Sequence, residues 1–313
     1  MRKGRAAILR LHLAVAALAG TGLLLLAVSG GALVFRPELD DVVFGPLRVE
    51  AGGTRAPLRA LVDAGQAAHP SLTPLTLTLP GPAGGPARLT LGRPAGERVE
   101  VLLHPASARV LGSRLPERSP LHALRVLHTE LYLGGPGRLV VAALGLLLVL
   151  QGATGLFLWW PFTRRLAHGF LIRRGRRWRV LGFDVHKVTG IVSLAFNVPV
   201  ALTGALLALS TSPGPPGSVE VREADGTVAR LDRASGTVSI VRDPRRPGDR
   251  VWGLLAAVHE GRFAGLASRC LYVAGALSPL VLALTGLGIW LTRPHPRTPH
   301  PALSPERRGR TGG

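Results

Sequence analysis

The chain has 313 residues, of which 47% are hydrophobic, and a formal net charge of +20 from 38 Lys and Arg against 18 Asp and Glu. Its single cysteine, Cys270, excludes an intrachain disulfide framework and a thiolate metal cluster. The apolar residues gather into four runs near 12–35, 138–160, 186–209 and 268–292, each long enough to span a bilayer, which takes roughly 20 residues. The basic excess follows topology. Residues 1–10, 161–180 and 293–313 hold sixteen Lys/Arg and one acid, Glu306, whereas 36–133 and 210–262 hold nineteen Lys/Arg and sixteen acids. Cytoplasmic loops collect Lys and Arg, so both termini are placed inside. The charge then points to membrane lipid and not to nucleic acid; Arg173, Arg174, Arg176 and Arg177 read as an anchor for anionic headgroups.

In chain order, residues 1–35 are a basic N-terminus and first span. Its apolar run is too long for a cleaved secretory signal, whose core is roughly 7–15 residues. Residues 36–119 read as a small outer α+β domain: a helix over 57–68 with Leu58, Leu61 and Val62 on one face, and antiparallel strands around Leu75 to Leu79, 88–91 and 99–103, broken by Gly/Pro clusters. Residues 120–160 are an amphipathic surface helix over 120–133 followed by span two, which closes on Trp159 and Trp160, residues suited to the membrane interface. An Arg-rich inner loop fills 161–183. Span three, 184–209, contains Asn197 and Pro199. Residues 210–250 are a smaller outer insert with strands at 219–221 and 237–240 and turns at Asp225-Gly226 and Ser235-Gly236. Residues 251–292 repeat the pattern of short helix, over 251–260, and span, ending at Trp290; 293–313 form a Pro/Arg-rich tail of disordered composition.

The pattern Leu127-His128, Arg138, apolar run, Thr154-Gly155-Leu156, Trp159 returns 131 positions later as Val258-His259, Arg269, apolar run, Thr285-Gly286-Leu287, Trp290. His12 stands 17 positions before Ser29-Gly30, and His186 stands 17 before Thr203-Gly204. The four spans therefore read as two copies of a helix pair.

Of the ten histidines, His69, His104, His168, His295 and His300 lie in loops or tails and read as solvated, and His122 has no counterpart in the repeat. His12, His128, His186 and His259 each stand where a span begins. Topology puts His12 and His186 near the inner face and His128 and His259 near the outer face. Histidines at helix ends often do no more than hydrogen-bond. Four in repeat register, in two facing pairs, suit another role, because two imidazoles from separate helices can clamp a haem iron from both sides. A zinc ion needs about four ligands; Glu130 and Glu260 are the available additions, or serve to orient the imidazoles. Gly20, Gly22, Gly30, Gly145, Gly152, Gly190, Gly204 and Gly275 allow close approach of helices or of a flat macrocycle.

These residues resemble a known family, the PepSY-associated transmembrane proteins, also called iron-regulated membrane proteins. The likeness rests on Leu11-His12 with Phe35-Arg36-Pro37-Glu38-Leu39-Asp40, on Leu127-His128 with Leu133-Gly134, on Thr154-Gly155-Leu156-Phe157-Leu158-Trp159-Trp160-Pro161, on Asp184-Val185-His186-Lys187 with Gly190, and on His259 with Thr285-Gly286. It spans nearly the whole chain. The outer insert is similar to a PepSY module, except that His104-Pro105-Ala106-Ser107-Ala108 stands where that module often has an Asp-Pro-x-Thr-Gly turn. The resemblance implies a bacterial inner-membrane protein with a four-helix all-α core and a periplasmic PepSY-like insert. It further implies two b-type haems with bis-His ligation, by His12 with His186 and His128 with His259, that reduce a ferric siderophore or other ferric chelate with electrons from a cytoplasmic or quinol donor. A non-enzymatic membrane-anchored module that binds an envelope protein or peptidase is the alternative. A metal transporter subunit is a third reading, for which Gln151 and Asn197 are the polar residues at membrane depth.

Overall fold

The computed structural model describes residues 2–45, 49, 53–81, 84–93, 96, 98–160, 166–174, 177–210, 217–243 and 246–293. The order of elements is α1 (Arg2–Leu33), α2 (Arg36–Phe44), α3 (Leu58–Ala68), β1 (Thr73–Thr78), β2 (Ala87–Gly92), β3 (Arg98–Leu103), β4 (Val110–Arg114), a 3-10 turn (Pro116–Arg118), α4 (Pro120–Glu130), α5 (Gly134–Trp159), α6 (Leu166–Gly169), α7 (Trp178–Leu209), β5 (Ser218–Arg222), β6 (Val228–Asp232), β7 (Val238–Arg242), α8 (Pro247–Glu260) and α9 (Gly265–Leu291). The tail expected over 293–313, with His295 and His300, lies outside the described residues apart from Arg293, as do Pro161 and Arg176.

Helices α1, α5, α7 and α9 are long and apolar enough to cross a membrane. Their outward faces are apolar: Leu18 is 78% exposed and Leu284 61%. Such a girdle is untenable in water and suits lipid. The helices form a ring in which α1 and α7 each pack against α5 and α9. Glycines set the closest contacts. A Cβ on Gly145 would stand 2.9 Å from the Ala201 carbonyl, and one on Gly152 would stand 2.6 Å from Leu194. A Cβ on Gly20 would meet no atom of the described residues within 4 Å. Asn197 is spent on the same packing: its Nδ2 donates to Ser193 Oγ and Ser278 Oγ, both at 3.1 Å, and so ties α7 to α9.

The spans begin earlier than hydropathy alone predicts. α7 starts at Trp178, so the end of the Arg-rich stretch 161–183, like the short α6 within it, is helical. Arg173 is not a free headgroup anchor: its backbone N–H, Nε and Nη2 donate to the fully buried Asp184 carboxylate at 3.1, 2.8 and 3.0 Å. Lys187 Nζ joins at 3.4 Å. Trp159 is also not an interface residue: it is buried, with Nε1 donating to the Gly169 carbonyl at 3.4 Å, while Trp160 is exposed.

The two inserts share one seven-stranded sheet, ordered β4-β3-β2-β1-β5-β6-β7. The junction is the parallel pair β1·β5, with Leu77 opposite Val221; every other pairing is antiparallel. Residues 36–119 and 210–250 are therefore not two separate pieces. One core, built of α3 (Leu61, Val62), the first insert (Leu77, Leu89, Leu91, Val101, Leu103) and the second (Val219, Val221, Leu231), holds them together. Strands β4 and β6 and helix α2 are additions to the elements that the sequence pattern predicts; β6 lies between the two predicted turns.

The 104–108 turn leads into β4. His104 Nδ1 accepts from the Ala106 and Ser107 backbone N–H groups, both at 3.3 Å, which is the service an Asp carboxylate renders in such a turn. His104 is therefore a turn-forming side chain, not merely a solvated one. Ala108 takes φ +56°, the left-handed conformation that favours glycine.

Candidate functional site

The four helices bring the repeat-register histidines together in two pairs. His12 on α1 meets His186 on α7 with ring centroids 6.5 Å apart and planes at 84°. His128 on α4 meets His259 on α8 at 6.1 Å and 37°. The second pair lies at the end of the bundle that carries the sheet, because α4 and α8 lead out of the inserts; the first lies at the far end. α4 reaches this place by a sharp stop. Ser119 caps its start by accepting from Leu121 N–H at 3.2 Å, and Leu131 and Tyr132, both at positive φ, end it immediately after Glu130.

Each imidazole lies in the same cradle. Nδ1 meets a hydroxyl on a neighbouring span: His12 meets Thr154 at 2.8 Å, His128 Ser29 at 3.1 Å, His186 Thr285 at 3.0 Å and His259 Thr203 at 3.4 Å. Every one of those hydroxyls already donates its proton to a carbonyl one turn back on its own helix: Leu150, Leu25, Val281 and Pro199 respectively. A hydroxyl with its proton so committed can only accept from the imidazole. The Leu282 and Val200 carbonyls, at 3.1 Å from Nδ1 of His186 and His259, impose the same direction. Nδ1 therefore carries a proton in all four, and in the neutral ring Nε2 keeps its lone pair.

The residue after each hydroxyl is glycine, and it faces the imidazole edge. A Cβ on Gly30 or Gly204 would stand 2.7 Å from Cε1 of His128 or His259. On Gly155 or Gly286 it would stand 3.4 or 3.3 Å from Cε1 of His12 or His186. The Ser/Thr-Gly pairs visible in the repeat are thus histidine seats, a role that the sequence pattern located but did not reveal. Burial, helped by the facing His259, pushes the His128 imidazole down to about 4; burial lowers His259 as well. Both are neutral at pH 7, the form that binds metal.

Glu130 and Glu260 are not ligands here. Glu130 accepts from Arg138 Nη2 at 3.1 Å, and Glu260 pairs with Arg262 at 2.6 Å. Arg269, which matches Arg138 in the repeat, holds Glu38 through Nη1 at 2.6 Å and the Val34 carbonyl through Nη2 at 2.9 Å, so capping the end of α1. Among the described residues no three of His, Cys, Asp and Glu stand close enough to share a metal ion, so each pair offers two protein ligands. His122 stands apart from both pairs, its pKa lowered by burial and by Arg125.

A family model described as the PepSY-associated TM region matches residues 9–293. The chain belongs to that family. None of the curated protein sequences compared with it matches. The matched region contains all four histidines, all four Ser/Thr-Gly seats and both inserts.

Two roughly 2 Å metal–nitrogen bonds plus the half-widths of two rings put imidazole centroids about 6 Å apart across one ion. Both pairs meet that spacing, and on each ring Nε2 is the nitrogen the seat leaves unused, although Gln151 Nε2 lies 3.1 Å from that of His12. Two axial ligands, with the remaining coordination supplied from elsewhere, is the donor set a porphyrin iron requires.

Proposed function

We propose that the chain is a di-haem electron-transfer protein of the bacterial inner membrane, which reduces ferric siderophores or other ferric chelates in the periplasm during iron acquisition. The observation that carries this reading is the pairing of the four histidines at 6.1 and 6.5 Å, one pair toward each end of the membrane-spanning bundle. His12 and His186 would hold one haem b and His128 and His259 the other. A haem at each pair supplies a one-electron couple, so that charge from a cytoplasmic or quinol donor can leave to a ferric complex on the sheet side. The protein's own part is to hold each ring at one tautomer and one angle and to keep the spans packed around it.

The reading of the spans as a duplicated helix pair is supported by the recurrence of the seat. His12 and His186 lie on α1 and α7, and their hydroxyls on α5 and α9; His128 and His259 lie on α4 and α8, and their hydroxyls on α1 and α7. The sheet order supports it too, since β1-β2-β3 and β5-β6-β7 flank the parallel junction symmetrically. A PepSY-like character for the periplasmic insert is supported by the 104–108 turn, where His104 accepts the bonds expected of the Asp and Ala108 takes the backbone expected of the Gly.

Arg125 lies one helical turn before His128 on the same face of α4. It has no ion pair among the described residues. Burial and the neighbouring Arg36, Arg98 and Arg138 lower its pKa, which leaves it suited to a carboxylate of the sheet-side group. The test is reconstitution into liposomes with a reductant inside and a ferric chelate plus a ferrous trap outside. Ferrous iron should form outside with the wild-type protein and fall to the protein-free rate in His12→Ala and in His259→Ala. Equal rates in all three would overturn the proposal.

A further inference from the structure

The four seats are alike in hydroxyl, glycine and tautomer, and they differ at one position. Three residues before each hydroxyl stand Leu26, Gln151, Val200 and Leu282. Val200 and Leu282 also accept from their histidines through the backbone carbonyl at 3.1 Å. Three of the four have apolar side chains. Gln151 does not, and its Nε2 lies 3.1 Å from Nε2 of His12, the nitrogen left free by the seat. Because Thr154 fixes the proton of His12 on Nδ1, that contact is donation from the amide into the lone pair an iron would use. The opposite end of the same amide is unsatisfied: Oε1 is buried and has no hydrogen-bond partner among the described residues. A buried carbonyl without a partner costs roughly 1–3 kcal/mol. The amide is thus held at a loss on one side and spent on a ligand nitrogen on the other.

We propose that Gln151 is the residue that sets the order of cofactor loading: it occupies His12 Nε2 until a macrocycle displaces it, so the sheet-side pair fills first and the far-side pair second. This rests on the reading of the pairs as axial ligands. Displacement breaks an amide–imidazole hydrogen bond, and the sheet-side pair has no such bond to lose, since the matching side chains there are Leu26 and Val200. One net hydrogen bond corresponds to roughly a fivefold difference in affinity.

The experiment uses the full chain in detergent, prepared without haem and titrated with haemin while Soret absorbance is followed. His259→Ala isolates the far-side pair and His186→Ala the sheet-side pair. The sheet-side pair should bind haemin more tightly, and Q151L added to His259→Ala should tighten the far-side pair about fivefold. A second variant guards against misfolding of the first: Leu26→Gln, added to His186→Ala, should weaken the sheet-side pair by a similar factor. If both pairs bind haemin and neither substitution moves its affinity in the stated direction, the inference about Gln151 is overturned while the proposed function stands. If neither pair binds haemin, the proposed function fails and the inference falls with it.

Discussion

The far-side pair, His12 with His186, and the sheet-side pair, His128 with His259, solve one problem with different amounts of room. On the far side both histidines belong to the long spans themselves, and the seat glycines leave 3.3–3.4 Å to the imidazole edge. On the sheet side the histidines ride on the short helices α4 and α8, outside the spans, and press to 2.7 Å from the place a Cβ would take. The ring planes differ accordingly, 84° against 37°. The lesson is that a repeated motif fixes the direction of a hydrogen bond more strictly than the packing around it. The hydroxyl and the Nδ1–H bond to it recur four times, whereas clearance, ring angle and the residue beside Nε2 do not.

The largest effect separating the pairs concerns protonation of the sheet side. His128 titrates near 6.5 in the unfolded chain and at about 4 in the folded one. The unfolded state therefore binds more protons between those values, and stability rises with pH across that window. On acidification from 6.5 to 4 the haem-free protein should lose about 3 kcal/mol through this group. Unfolding in detergent at pH 7 and pH 4 measures the loss, and His128→Gln should flatten the dependence. No flattening would mean that His128 is solvated and that the enclosed seat is wrong.

Next comes clearance. Gly30→Ala and Gly204→Ala should each displace their histidine, at an overpacking cost of about 1–3 kcal/mol, and weaken haemin binding at the sheet-side pair roughly tenfold or more. Gly155→Ala and Gly286→Ala, with over half an ångström more space, should weaken the far-side pair much less. Haemin titration of the four variants gives the ordering; equal losses in all four would erase the distinction.

Smaller still is the loss of a hydroxyl, at the low end of the roughly 10–100-fold by which outer-shell partners of a metal-bound histidine change affinity. Ser29→Ala and Thr154→Ala should fall near tenfold. Thr203→Ala and Thr285→Ala should fall less, because the Val200 and Leu282 carbonyls still hold Nδ1 at 3.1 Å. Ser29→Thr and Thr154→Ser should restore binding where alanine does not. The smallest effect lies away from both pairs. Ala108→Gly relieves a left-handed alanine and should stabilise the sheet by about 1 kcal/mol, seen as a higher midpoint in denaturant with both haemin affinities unchanged.

Much of this was legible in the residues because the membrane is a simple solvent. Twenty apolar residues in a row have few other fates, and a fixed offset of 131 positions placed His128 and His259, and Thr154 and Thr285, in matching roles before any contact was known. What stayed hidden depends on tertiary closure. The joining of the inserts rests on the parallel β1·β5 pairing, a contact between residues some 140 positions apart that neither strand's pattern announces. Glu130 and Glu260 stood close to the histidines in sequence but are claimed by Arg138 and Arg262 in space. Trp159 looked like an interface residue until the α6 turn folded back over it. Gln151 was visible only as a polar residue in an apolar run; its meaning came from the side chain packed against it.

The most direct measurement of the central claim is an optical spectrum of the purified, detergent-solubilised protein, oxidised and then reduced with dithionite. The account predicts a sharp low-spin b-type band on reduction, partly lost in His12→Ala, partly lost in His128→Ala and absent when both are changed. A featureless spectrum after expression with ample haem, or a band that survives both substitutions together, would contradict it and leave a membrane-anchored module that binds a protein partner as the better description.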